Sequence, residues 1–121
     1  MEAELPWPNE WLRGVIELCV LKVIGDQPTY GYAIGCALAD AGLGQPKGGT
    51  LYPLLSRFQE AGWVTAQWQP GDGGPGRKFY EITDQGRKVL DMRIDEWLRF
   101  SATVSAQVTG QSPHPQKGIV Q

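Results

Sequence analysis

At Trp63 the apolar pattern of this chain changes period, and that change constrains the fold more than any other feature. From Trp63 to Gln69 (WVTAQWQ), Trp63, Thr65, Gln67 and Gln69 fall on one side and Val64, Ala66 and Trp68 on the other, which suits a strand. PGDGGPG then carries too many glycines and prolines for a regular element, and RKFYEIT resumes the alternation. Residues 63–82 are therefore predicted as a β-hairpin with a long tip. A chain of 121 residues that reads helix, hairpin, helix has room for one modest core.

Three short helices are expected before the hairpin. Leu12, Val15, Ile16, Cys19, Val20 and Val23 make one helical stripe between an N-cap at Asn9 and a stop at Gly25. Thr29 is the expected cap of a second helix that buries Ile34, Ala37, Leu38 and Ala41 and ends at Gly42. The third follows the loop LGQPKGG, buries Leu51, Leu54, Leu55 and Phe58, and closes at Gly62. After the hairpin, Thr83 or Asp84 caps a last and longest helix. There Leu90, Ile94, Trp97, Ser101, Val104 and Val108 step by three and four, the spacing of a seam against another helix. A second copy of the chain would supply the partner, so these six residues are the expected homodimer interface. The implied organisation is an arm (1–8), a winged helix-turn-helix (9–83), a dimerisation helix (84–109) and a disordered tail (110–121).

Charge narrows the function. The net charge is −2, but it is unevenly spread. Residues 1–46 hold two basic against six acidic side chains, whereas residues 47–88 hold six against four, so the positive charge gathers in the middle third. No apolar run reaches the length of a membrane span, and the acidic start MEAELPWPNEW lacks the pattern of a secretory leader, so a soluble cytoplasmic protein is expected. Cys19 and Cys36 fall inside apolar helical patterns and are read as buried, reduced thiols, which disfavours a thiol-based sensor. His114, the single histidine, stands alone in the tail. No nucleophile with its base, paired carboxylates or metal-ligand cluster can be assembled, so neither an enzyme nor a cofactor or metal is expected.

Three helices followed by a glycine-tipped hairpin is the order of a winged helix-turn-helix, mainly α with a small β-hairpin, whose third helix enters the major groove. KGGTLYPLLSRF fits that role. Gly48 and Gly49 let the main chain approach a phosphate, the free N–H groups of a helix start favour an anion, and Thr50 can donate from the first turn. With the leucines inward, Tyr52, Pro53, Ser56 and Arg57 turn outward. Lys47, Gly49, Thr50, Tyr52, Pro53 and Arg57 are the expected contacts on this helix with double-stranded DNA, and Arg77 and Lys78 those on the hairpin. A winged-helix module that binds protein and never DNA is the alternative.

Together these stretches resemble the PadR-type transcriptional regulators. The resemblance runs from about Leu12 to Trp97 through LRGVIELCVL, PTYGYAI, GGTLYPLLSRFQEAGWV and GPGRKFYEITDQGRKVL. It implies a dimeric repressor that binds a roughly palindromic operator and is released by a small molecule or another signal. It also implies DNA-facing roles for Tyr30 and Tyr32 in TYGY, Thr50 and Tyr52 in GTLY, and Arg77 and Lys78 in GPGRK. TYGY departs from the family's usual HGY, so Tyr30 stands in the histidine's neighbourhood. One helix after the hairpin resembles the short form, in some members of which a tryptophan of the last helix stacks on planar aromatic effectors. Trp97, eleven residues after Gly86, matches that position, with Ile94 and Trp11 as its expected neighbours around an effector.

Overall fold

The computed structural model describes residues 6–71 and 73–111, which form four helices and a three-stranded antiparallel sheet. The wing-tip residue Asp72, residues 1–5 of the expected arm and residues 112–121 of the expected tail, His114 among them, lie outside the described residues.

The first helix, α1 (Asn9–Asp26), begins one residue earlier and ends later than its sequence signals imply. Pro8 is the cap residue, its carbonyl accepting from the N–H groups of Trp11 and Leu12 at 3.0 and 3.1 Å, so Asn9 is already helical. Gly25 does not stop the helix. It lies inside it, where the last helix passes so close that a Cβ on Gly25 would stand 2.8 Å from Leu90 Cδ2. Arg87 Nη2 donates to the Gly25 carbonyl at 2.7 Å, one of the last-turn carbonyls that lack an intrahelical partner. The buried face of α1 is Leu12, Val20, Leu21 and Ile24. Val15, Ile16, Cys19 and Val23, expected in the stripe, are only half-buried. The helix is apolar round most of its circumference, so spacing alone does not choose its inner face.

Thr29 does not cap the second helix. With Tyr30 it forms a two-residue strand, β1 (Thr29–Tyr30), and is itself buried. The next helix, α2 (Gly31–Asp40), starts directly from the extended backbone of Tyr30 and buries Ile34 and Leu38. Ala37 is half-buried, and Ala41 lies exposed beyond the helix. The turn is closed by Gly42, at φ +88°, with Leu43 N–H donating to the Leu38 carbonyl.

The third helix, α3 (Gly48–Glu60), buries Leu51, Leu54, Leu55 and Phe58 as its spacing predicts. Gly48 and Gly49 belong to its first turn rather than to the loop before it. The helix ends on Gly62 at φ +82°, with Trp63 N–H donating to the Phe58 carbonyl at 2.9 Å. The hairpin follows as β2 (Val64–Gln69) and β3 (Arg77–Ile82), paired from Val64 with Ile82 to Gln69 with Arg77. β1 adds to the other side of β3, Thr29 opposite Tyr80 and Tyr30 opposite Phe79, giving the order β1–β3–β2. Phe58, Leu21, Ile24, Ile34, Leu38, Leu55, Val20 and Val64 are fully buried and form the core between helices and sheet.

The last helix, α4 (Asp84–Thr109), is capped by Thr83, whose Oγ1 accepts from Gly86 N–H at 2.9 Å and donates to the Gly62 carbonyl at 2.7 Å. The chain divides into two compact units, Met1–Leu90 and Asp91–Gln121. In the second unit Met92, Trp97, Leu98, Phe100, Val104 and Val108 are exposed along α4.

Gly86 carries the tightest approach in the fold, since a Cβ there would stand 2.0 Å from the Trp63 carbonyl oxygen. A backbone atom cannot swing aside, so Gly86→Ala is expected to cost about 3 kcal/mol or more. Gly49→Ala meets open space and should leave the melting temperature unchanged or raised. Thermal unfolding of the two variants side by side measures the difference.

Candidate nucleic-acid interface

The start of α3 is bare backbone. Lys47 occupies the cap position without a side-chain capping hydrogen bond, and its carbonyl takes the N–H groups of Thr50 and Leu51, both at 2.9 Å. The N–H groups of Gly48 and Gly49 precede that first intrahelical bond, so they are free to meet an acceptor. Neither Gly49 nor its surroundings obstruct an approach, because nothing lies within 4 Å of where its Cβ would be. Pro53 sits inside the helix and has no N–H to donate to the carbonyl of Gly49, four residues back. Lys47, Thr50, Tyr52 and Pro53 are all exposed.

Tyr52 links this helix start to the next element. Its ring lies across Gly31, the first residue of α2, so closely that a Cβ on Gly31 would stand 2.5 Å from the Tyr52 hydroxyl and 2.9 Å from Cζ. The side chain still keeps 53% of its surface exposed. Glycine between two tyrosines is the only sequence mark of this approach, and spacing alone did not reveal it.

The strand pairing then separates residues that are neighbours in sequence. Successive side chains of a strand point to opposite faces, so Arg77, Phe79 and Glu81 share one face of β3 and Lys78, Tyr80 and Ile82 the other. Tyr30, opposite Phe79, lies on the first face. Its ring centroid is 5.1 Å from that of Phe79, and Arg77 Cζ stands 4.5 Å above it. Lys78 is on the core face, its Nζ 5.8 Å from the Tyr80 ring. Burial, with Tyr52 nearby as a smaller cause, raises the Tyr80 hydroxyl above the ordinary phenol range. Two adjacent cations read as one motif in sequence; in the fold they work on different sides of the wing.

Arg57 is placed differently from the other expected contacts. Its Nη2 is 3.2 Å from Glu17 Oε1 of α1, and both side chains remain partly exposed. An outward position on α3 was predicted from the inward leucines, but spacing within one helix carries no information about a carboxylate on another. Tyr32 is exposed in the first turn of α2, and its hydrogen bond with Cys36, one turn on, holds the hydroxyl protonated to higher pH than usual. Tyr52 thus lies against Gly31 and near Tyr80, whose face of the sheet carries Lys78; Tyr30 and Arg77 meet on the opposite face, and Arg57 is tied to α1.

A protein-family model for the transcriptional regulator PadR-like family matches residues 20–92, which takes in α2, α3, the wing and the start of α4. The chain belongs to that family. Its fold is also that of solved PadR-like proteins: a PadR family transcriptional regulator from Eggerthella lenta matches with a TM-score of 0.74 at 33% identity, over 82% of this chain and 86% of that one. A PadR-like transcriptional regulator from Bacillus cereus matches with a TM-score of 0.74 at 33% identity, over 85% of this chain and all of that one. An uncharacterised protein of Lysinibacillus sphaericus is 26% identical over 104 residues, 84% of this chain and 95% of its own length.

Members of the PadR-like family are regulators of transcription and not enzymes, and DNA binding is the function that membership supports. Among the described residues no helix is long and apolar enough to cross a membrane, and no group of ligands fits a metal ion. Cys19 and Cys36 are half-buried rather than buried, Cys19 because α1 turns a different face inward from the one expected. Burial raises the Cys19 thiol, which disfavours a reactive thiolate. Of the expected dimer residues, Leu90 is 2% exposed and packs within its own unit against Gly25, so its surface is already used by the core. Trp97 and Val104 are exposed, Val108 is 71% exposed, and Ile94 and Ser101 are half-buried. Leu98 and Phe100 widen the apolar face beyond the expected seam, with the Trp97 and Phe100 rings 6.2 Å apart. Trp11 is exposed on α1, while Trp7 donates through Nε1 to the Gly42 carbonyl.

Gly31→Ala tests the approach of Tyr52. The obstructed atoms belong to the outer end of a side chain, so the ring should rotate away while the fold persists. A fall in stability of less than about 1.5 kcal/mol is expected in a denaturant titration, together with a changed Tyr52 environment in aromatic NMR spectra.

Proposed function

We propose that this chain is a repressor that binds operator DNA as a homodimer in the cytoplasm, with residues 9–83 as the DNA-binding domain and residues 84–109 as the helix joining two copies. The first turn of α3 enters the major groove. Lys47, Thr50 and Tyr52 meet phosphates and base edges there, and the main chain of Gly48 and Gly49 comes close to a phosphate. Tyr32 donates from the start of α2, and Arg77 and Lys78 follow the backbone from either side of the wing. Arg57, paired with Glu17, lies outside this set.

The observation that carries the reading is the Tyr52 ring laid against the first residue of α2 beside an α3 start with unused N–H groups. A phenol hydroxyl and bare backbone N–H donors at an uncapped helix N-terminus, with Lys47 at the cap position, make a polyanion the natural ligand. The wide exposed apolar face of Trp97, Leu98, Phe100, Val104 and Val108 supports a second copy on α4. Two copies would then present their α3 helices about one turn of duplex apart, roughly 34–36 Å. Trp97, 39% exposed and next to Phe100, is the residue we assign to a planar aromatic effector, whose wedging between the copies would change that spacing.

Binding to a duplex selected from random sequence by the wild-type chain should weaken steeply with salt, and Arg77→Ala with Lys78→Ala should flatten the log–log slope by about 2. Tyr52→Ala should weaken binding at every salt concentration. An affinity for selected duplex no higher than for random sequence would refute the reading. For the dimer, Val104→Asp is expected to convert the sedimenting species to monomer with the fold intact; an unchanged mass would remove α4 from the interface.

A further inference from the structure

The ring of Tyr30, an expected DNA contact, packs against Phe79 and Arg77 inside the protein, and we infer that it is a positioning residue: it holds Arg77 at the outer end of the wing's strands, ready for a phosphate. The inference rests on the DNA-binding reading above and adds to it how one cation is aimed.

The contact is fixed from both ends. Tyr30 lies in β1, paired in register opposite Phe79, and its ring packs on Phe79 at 5.1 Å and 53°. Arg77 precedes Phe79 by two residues on the same face of β3, which places its guanidinium 4.5 Å above the Tyr30 ring. Both side chains therefore hang from one strand pair, whose geometry sets their separation. Among the described residues no carboxylate pairs with Arg77, whereas Arg57, Arg93 and Arg99 face Glu17, Glu96 and Asp95. Contact with an aromatic ring takes up none of the five N–H donors of a guanidinium in hydrogen bonds, so the whole fork stays available for a phosphate. An ion pair would have consumed it. Holding a long side chain in place before binding also removes part of the ordering cost of the complex.

A direct contact of the Tyr30 hydroxyl with DNA would make the hydroxyl the essential atom group. The positioning role makes the ring essential and the hydroxyl dispensable. The two are separated by Tyr30→Phe and Tyr30→Leu, titrated against the duplex selected by the wild-type chain. Tyr30→Phe should bind within about twofold of wild type, and Tyr30→Leu should bind about fivefold more weakly. In a double-mutant cycle, Tyr30→Leu should add nothing to Arg77→Ala, because its effect passes through that residue. Thermal melts confirm that each variant is folded.

A second readout needs no DNA. The side-chain protons of Arg77 should show an upfield ring-current shift in NMR spectra of the free protein, kept in Tyr30→Phe and lost in Tyr30→Leu. A Tyr30→Phe variant as weak as Tyr30→Leu, additive effects in the cycle, or an Arg77 resonance unmoved by Tyr30→Leu would each overturn the positioning role while leaving the DNA reading standing. A wild-type chain that binds no duplex would instead overturn the DNA reading, and this inference with it.

Discussion

The junction at Thr83 holds the architecture together. Its hydroxyl donates to the Gly62 carbonyl and accepts from Gly86 N–H, and its own N–H donates to the Trp63 carbonyl at 2.9 Å. One residue thereby ties the end of α3, the root of β2, the end of β3 and the first turn of α4. The same Trp63 carbonyl is the atom that forbids a side chain at Gly86. Because the wing begins and ends at this point, its attachment to α3 does not depend on its tip.

Much of this was legible in the sequence, and the reasons for the rest are physical. α3 announced its inner face because its leucines and phenylalanine fall only on one helical stripe, Leu51, Leu54, Leu55 and Phe58. α1 did not, since apolar residues surround it and burial was decided by what packed on each side. Gly25 had the look of a helix stop, yet its smallness serves a helix crossing with Leu90. β1 was missed altogether, because two residues have no periodicity to detect and only pairing with β3 defines them. Thr29 matched a capping pattern for the same reason that it suits a strand end: a short polar side chain beside a turn.

The candidate interface shows the same division. The residues contributed by one helix start, Lys47 through Pro53, could be named from local pattern alone. What Arg57, Tyr30 and Arg77 do depends on partners far away in the chain, namely Glu17, Phe79 and the register of β1 on β3. Long side chains are the least predictable members of a site, since a partner on another element redirects them. Short side chains and bare backbone stay where the helix puts them.

The pleat of β3 has a further consequence. The turn between Gln69 and Arg77 joins the strands outside their pairing, so residues can be gained or lost there without disturbing either ladder. One residue inserted between Arg77 and Phe79 would rotate the guanidinium to the core side of the sheet and strand Tyr30 without a cation. Variation among descendants of this chain is thus channelled into the length of the hairpin's tip, while the spacing of its outermost strand residues is held by parity.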